Sequence, residues 1–186
     1  MTKNIIVSAG QTKLLPVFWS GVESELSYTI NLAGPGAGIT FLLLLLGKDS
    51  QALTLKADIF HLKPHTTSRI IVKGALFDRA KVDFTGLVCI SPGAKGADAW
   101  LAAHLLLLSP SASGRAIPNL EIKENDVKAG HAATVGRVSD QELFYLMSRG
   151  LSQDIATRLI VQGFMQSLLD QFPPAQARRV TGILDV

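Results

Sequence analysis

The chain has 186 residues, of which 47% are hydrophobic and 18% are charged, so its length fits one domain, or one domain with a small appendage. The hydrophobic share excludes disorder, and a charged share below the roughly 25% of average soluble proteins indicates surface that a partner covers. A net charge of +3 without runs of like charge argues against nucleic acid and anionic membranes as partners. The single cysteine, Cys89, excludes an internal disulfide and a metal site built from several cysteines of this chain.

From the start to about residue 125, apolar residues come in short groups separated by Gly, Pro, Ser, Asp or Lys. The clearest groups alternate with period two, which predicts strands with one buried face: Leu26 to Leu32, Ile39 to Leu45 and Leu53 to Ile59. Further apolar groups lie at Ile70 to Val72, Val82 to Phe84, Leu87 to Ile90, Leu105 to Leu108 and Leu120 to Ile122. An antiparallel sandwich or barrel and a parallel β-helix both fit this spacing, and the lack of Asn-Gly and Asp-Gly hairpin turns modestly favours the β-helix.

The uncharged stretch from Leu26 to Gly47 includes five consecutive leucines, yet it does not predict a membrane-spanning helix. The segment Gly34 to Gly38 interrupts it, and the apolar run that begins at Ile39 is far shorter than about 20 residues. A proline inside that glycine-rich segment and a strand after it predict a tight turn instead of a phosphate-binding loop. The first residues also lack the form of a secretory signal, so the sequence predicts a soluble, cytoplasmic protein.

After Val138 the pattern becomes helical. Ser139 and Glu142 form a capping-box sequence, and Gly150 ends the short helix that follows. Ser152 caps a second predicted helix that stops at Pro173, and residues 175–184 add a frayed third. The predicted organisation is a β core over residues 1–138 and a helical region over residues 139–186.

The histidines and the cysteine are the candidates for metal chemistry. His61 and His65 flank a proline in a predicted loop, while His104 and Cys89 belong to apolar strands, so all four are expected to be structural. His131 lies among small residues that leave an imidazole reachable by a ligand or a partner chain. From the residues alone, a structural role for His131 remains slightly ahead of a metal-binding one.

An ordered series of short motifs runs along the chain between about Asp58 and Phe164. The series consists of His61-Leu62-Lys63-Pro64, Ser68-Arg69, Lys73-Gly74, Phe84-Thr85-Gly86, Pro92-Gly93-Ala94, Leu105-Leu106-Leu107, Pro118-Asn119-Leu120-Glu121-Ile122, Asp126-Val127-Lys128, Gly130-His131-Ala132-Ala133-Thr134-Val135-Gly136 and Leu143-Phe144-Tyr145-Leu146-x-Ser148-Arg149-Gly150. As a set it resembles the C-terminal half of SufB and SufD, the scaffold subunits of the SUF system of iron–sulfur cluster assembly.

The resemblance implies a right-handed parallel β-helix followed by a helical domain. It also implies that two β-helices pair through their C-terminal strands, and that iron or an iron–sulfur cluster is held transiently at this subunit interface. His131 matches the histidine that SufD contributes there. Ala103 stands where SufB has its sulfur-accepting cysteine and Ala132 where SufB has a glutamate, which makes the chain SufD-like.

The resemblance further implies a SufC-type ATPase that docks on the helical region. The helices carry more large apolar residues than a short appendage buries, and such a surplus is typical of a partner site. The predicted partner-binding residues are Leu143, Phe144, Tyr145, Arg149, Ile155, Leu159 and Phe164.

The predicted function is that of a non-catalytic scaffold subunit, which pairs with a SufB-like subunit or with itself and docks the ATPase. One alternative is a β-helix enzyme that acts on acidic polysaccharide, which the scattered carboxylates of the β part disfavour. Another is a structural oligomerisation module, from which a metal or cluster bound after anaerobic reconstitution would distinguish the scaffold.

Overall fold

The chain winds between two parallel β-sheets. The computed structural model describes residues 2–184, in which ten strands are followed by three helices. The elements are β1 (Thr2–Val7), β2 (Thr12–Trp19), β3 (Glu25–Leu32), β4 (Gly38–Gly47), β5 (Ala52–His61), β6 (Thr67–Leu76), β7 (Lys81–Ile90), β8 (Asp98–Leu107), β9 (Ser113–Ile122), β10 (Lys128–Arg137), α1 (Asp140–Ser148), α2 (Gln153–Leu169) and α3 (Pro174–Leu184). One sheet has the order β1-β3-β5-β7-β9 and the other β10-β8-β6-β4-β2. The fold is therefore a parallel β-helix of about five turns, as the family resemblance implies.

The core of the β-helix consists of side chains stacked in straight rows. Parallel pairing sets Phe41 beside Ile70, and Ile70 beside Leu101, in consecutive strands of the even-numbered sheet. All three side chains are fully buried and point between the two sheets. Along each strand, side chains point alternately into and out of the β-helix. Because equivalent positions of successive turns lie side by side, these side chains form inward rows and outward rows.

Strand β4 is buried on both faces. Its inward residues follow the predicted alternation, but the outward-facing Leu42, Leu44 and Leu46 are buried as well. They pack in a second apolar cluster with Val161 and Met165 of α2. The run of five leucines is therefore explained by helices that cover the outer face of the even-numbered sheet.

The turn after β3 matches its prediction. Ala37 donates its backbone N–H to Gly34 O over 3.1 Å, and Gly36 has a φ of +68°, which residues with a side chain rarely adopt. Among residues 2–184, none of the helices has both the length and the apolar character that crossing a membrane demands.

The first two helices begin where the capping residues predict, but α2 ends at Leu169, before the predicted stop at Pro173. Ser139 Oγ accepts the Glu142 N–H and Ser152 Oγ accepts the Ile155 N–H, each over 3.4 Å. Gly150, with a φ of +92°, follows α1, and α3 begins at Pro174. The last strand ends at Arg137 and the first helix begins at Asp140.

The predicted strand groups need one correction. The groups Val82 to Phe84 and Leu87 to Ile90 belong to one strand, β7, whose pattern is interrupted at Gly86. A Cβ there would lie 2.8 Å from side-chain atoms of Phe84 and Leu101, so the tight core requires glycine. The small-residue stretch around His131 is a full strand, β10, because pairing with β8 outweighs the poor strand propensity of alanine and glycine.

Candidate functional site

His131 lies on the last strand of the even-numbered sheet. In the register of β10 with β8 it pairs with Leu101, which places it at the end of the inward row of Phe41, Ile70 and Leu101. Ala129, two residues earlier, packs against the core, so this side of β10 faces the interior of the β-helix. His131 itself is exposed, because no further turn within residues 2–184 covers β10. An imidazole thus stands at an inward position of an open turn.

Small side chains surround this position. Ala129, Ala132 and Ala133 of β10 lie beside alanines of β8, and Gly130 carries no side chain at all. A Cβ at Gly130 would lie 2.5 Å from the indole ring of Trp100, so the glycine makes room for the tryptophan on the outer face. The backbone edge of β10 next to His131 is therefore exposed, and the side chains of β10 beside it are small.

His131 cannot hold a metal ion by itself. Nowhere in the described part of the chain do three or more His, Cys, Asp or Glu side chains gather as they would around a metal ion. Iron–sulfur clusters require about four ligands, mostly thiolates. The fold thus presents one imidazole, and any further ligands have to come from outside these residues.

Cys89 is not brought near His131. It lies on β7 of the odd-numbered sheet, in an outward row with Phe60 and Glu121, and its side chain is buried. Burial and the neighbouring Glu121 carboxylate raise the pKa of the Cys89 thiol, which keeps it protonated at neutral pH. The thiol is therefore a poor metal ligand, in agreement with the structural role expected for it.

His61 is a buried structural residue. It ends β5 rather than lying in a loop, and its ring nitrogens are 2.9 Å from Thr66 Oγ1 and 2.8 Å from Ser68 Oγ. Burial lowers the pKa of His61 from 6.5 to about 4, so the ring is neutral at physiological pH. The two hydroxyl partners satisfy both nitrogens and leave none for a metal.

The other two histidines also have local roles. His65 is exposed in a turn, with a φ of +57°. His104 Nδ1 lies 2.8 Å from Thr134 Oγ1, which links the side chains of β8 and β10 on the outer face. Burial, together with the charge of Lys73, lowers the pKa of His104 and keeps it neutral.

The helices present a largely exposed apolar surface. None of the residues of α1 is buried, and Phe144 is 74% and Tyr145 56% exposed. The Arg149 guanidinium lies 5.2 Å from the centre of the Tyr145 ring. Among the predicted residues on the helices, Leu143 is half-buried, whereas Ile155 and Leu159 are exposed.

Phe164 differs from the other predicted partner residues because it packs towards the sheet. Lys73 Nζ of β6 lies 4.6 Å from the centre of the Phe164 ring, and it donates hydrogen bonds to Phe164 O and Ser167 Oγ at 2.8 and 2.5 Å. Burial lowers the pKa of Lys73. Lys73 therefore links α2 to the β-helix by hydrogen bonds, a contact that the sequence does not predict.

One exposed apolar residue of α1 is missing from the sequence prediction. Met147 is exposed beside Phe144 and Tyr145 in the same helix. Its place in the apolar run Leu143 to Met147 is the signal that could have identified it.

The comparisons with known proteins identify the family of the chain. The family described as the SufBD core domain of SUF system FeS cluster assembly matches residues 6–164. The chain is 37% identical over 145 residues to the iron–sulfur cluster assembly protein SufD of Bacillus subtilis, covering 78% of this chain and 33% of that protein. It is 36% identical to SufB of the same organism, covering 76% and 30%, and 33% identical to the SufBD family protein ML0594 of Mycobacterium leprae, covering 88% and 44%. The chain thus spans about a third to less than half of these relatives.

Proposed function

The chain belongs to the SufBD core family of iron–sulfur cluster assembly proteins, and from that premise we propose that it acts as a non-catalytic, SufD-like scaffold subunit in the cytoplasm. The observation that carries the proposal is the position of His131 at an inward site of an open last turn. An imidazole that is held on a rigid strand and left uncovered suits the binding of a metal ion or cluster shared by two chains.

The proposed pairing partner is a SufB-like subunit or a second copy of this chain. Strands β9 and β10 each have a neighbour on one side only among the described strands, so each presents an edge of backbone N–H and C=O groups. Ile117, Ile122 and Val135 are exposed at this end, where they offer apolar contact area to a partner. Pairing of two such ends would cover these apolar side chains and bring the partner's residues close to His131.

Iron or an iron–sulfur cluster is the proposed cargo, held transiently at that interface. His131 would supply one ligand, and the remaining ligands would come from the partner subunit, since Cys89 lies on the other sheet with a protonated thiol. Ala103 is buried against the core, and its methyl group accepts no sulfur. The chain would therefore depend on its partner for sulfur.

The content of iron and acid-labile sulfide in the purified complex tests the His131 site. His131→Asn should reduce the cluster content severalfold, because the amide is a weak ligand for iron. His65→Asn is the matched control, since His65 is an exposed histidine in a turn that asparagine tolerates. Equal cluster content in the two variants would contradict the assignment.

The helical region is the proposed docking surface for a SufC-type ATPase. The exposed apolar residues of α1 and α2 make up the candidate surface, and the opposite face of α2 is occupied by the β-helix. Removing the helices altogether would uncover Leu42, Leu44 and Leu46, so point substitutions make the better test. They leave the packed face of α2 unchanged.

Binding of the ATPase to surface variants tests this docking site. Phe144→Ser combined with Tyr145→Ser should weaken binding at least tenfold, because large apolar and aromatic side chains dominate interfaces. Ile6→Ser is the control, since Ile6 is exposed on β1 of the odd-numbered sheet, whereas the helices cover the even-numbered one. Unchanged affinity of the double variant, with melting curves that match the wild type, would overturn the docking proposal.

A further inference from the structure

A cavity of about 190 Å³ opens where α2 and α3 meet the β-helix. Leu46 and Phe77 line it from the ends of β4 and β6, Val161 lines it from α2, and Ile183 lines it from α3. Leu46 and Val161 are buried, so the floor is apolar. Crevices at the carboxyl ends of parallel strands, roofed by helices, are frequent ligand sites in other folds.

Two cationic side chains also line this cavity. Lys48 follows β4, and Arg158 lies one turn before Val161 on α2. In the part of the chain that the structure describes, neither side chain forms an ion pair. They are therefore available to a ligand from solution.

Asp78 supplies the only carboxylate that lines the described cavity, and it is already engaged. Its Oδ2 accepts the backbone N–H of Asp49 over 2.9 Å, and its own N–H donates to Ser109 Oγ over 2.7 Å. The carboxylate is thus tied to the neighbouring turn rather than to the two cations. The described residues that line the cavity therefore carry a net positive charge of one.

The geometry points to a binding site for a small monocarboxylate with an apolar body. A cavity of about 150 Å³ accommodates benzene, so the volume here fits a ligand of benzoate size. The ring would displace water from the apolar floor, and the carboxylate would lie between Lys48 and Arg158, where Arg158 accepts it in bidentate geometry. This site is independent of the proposed function, because it uses neither His131 nor the predicted partner residues.

Titration of the full chain with sodium benzoate, followed by NMR, tests the proposal. We expect saturable shifts centred on the Arg158 side chain and on the methyl groups of Val161 and Ile183. Benzamide, which has the same ring without the charge, should bind at least tenfold more weakly. Saturating benzoate should also raise Tm, since a ligand of the folded state alone stabilises it.

Charge-removing variants complete the test. Arg158→Gln and Lys48→Gln should each weaken benzoate binding about tenfold. Because Arg158 is exposed, its substitution should leave the fold intact, which melting curves check. Arg178→Gln is the matched control, because Arg178 is an exposed arginine of α3 that does not line the cavity. Shifts that do not saturate, equal affinity for benzamide, or unchanged binding by both cavity variants would overturn the site.

Discussion

The middle turns of the β-helix and its last turn are built alike but have opposite surroundings. Phe41, Ile70 and His131 occupy one inward row, yet the first two are fully buried and His131 is exposed. Strand β6 pairs on both sides, whereas β10 pairs only with β8 in the described sheet. The comparison shows that an inward position becomes core only where another turn covers it, and that the same position in an open turn is a surface available for binding.

The largest contrast should appear when a side chain is removed from each region. Phe41→Ala should lower the free energy of unfolding by about 3–5 kcal/mol, because it leaves a cavity between neighbours that cannot collapse. Ile122→Ala in the last turn should cost about 1 kcal/mol or less, since Ile122 is already half-exposed. Urea unfolding measures both values, and similar losses would break the comparison.

His61 makes the stability of the middle turns depend on pH. Its folded pKa of about 4 lies below the ordinary 6.5, so between these values the unfolded chain binds the proton more readily than the folded protein. Stability is fully present above pH 6.5 and falls by about 3 kcal/mol as the pH drops towards 4. Urea unfolding at pH 7.0, 5.5 and 4.5 measures this loss.

A variant of His61 separates its contribution from other titrations. His61→Gln should remove most of the slope between pH 6.5 and 4. An unchanged slope in His61→Gln would show that other groups cause the pH dependence.

Lys73 connects the covered outer face of the middle turns to α2. Lys73→Met keeps the apolar stem but loses the hydrogen bonds to Phe164 O and Ser167 Oγ, so stability should fall by about 1–2 kcal/mol. Hydrogen exchange of α2 should accelerate more than that of β6. Lys95→Met is the control, because Lys95 forms an exposed ion pair with Asp126 over 3.6 Å that is worth about 0.5 kcal/mol or less.

The smallest effect is expected at the candidate site itself. His131→Asn should change the unfolding free energy of the isolated chain by less than about 0.5 kcal/mol, because the side chain is exposed and has small neighbours. If chemical denaturation shows that His131→Asn lowers the unfolding free energy by more than about 1.5 kcal/mol, His131 is a packing residue. That is the structural role that the sequence alone slightly favoured.

Much of the local structure follows from short stretches of sequence. The alternation at Ile39 to Leu45 identifies both a strand and its inward face, and Ser139 and Ser152 mark the helix starts, because period and capping are properties of a few consecutive residues. The candidate site was predictable only in part. The small residues around His131 indicated access, but nothing local indicated that they form an edge strand.

The amino-acid sequence indicates the strands, the helices and the inward residues of the clearest strands, and its ordered motifs indicate the family. Three features depend on the folded arrangement: the strands pair in parallel, α2 and α3 bury the outward leucines of β4, and no further described strand covers His131. Side-chain alternation is set within a strand, whereas burial depends on which distant segment packs against each face.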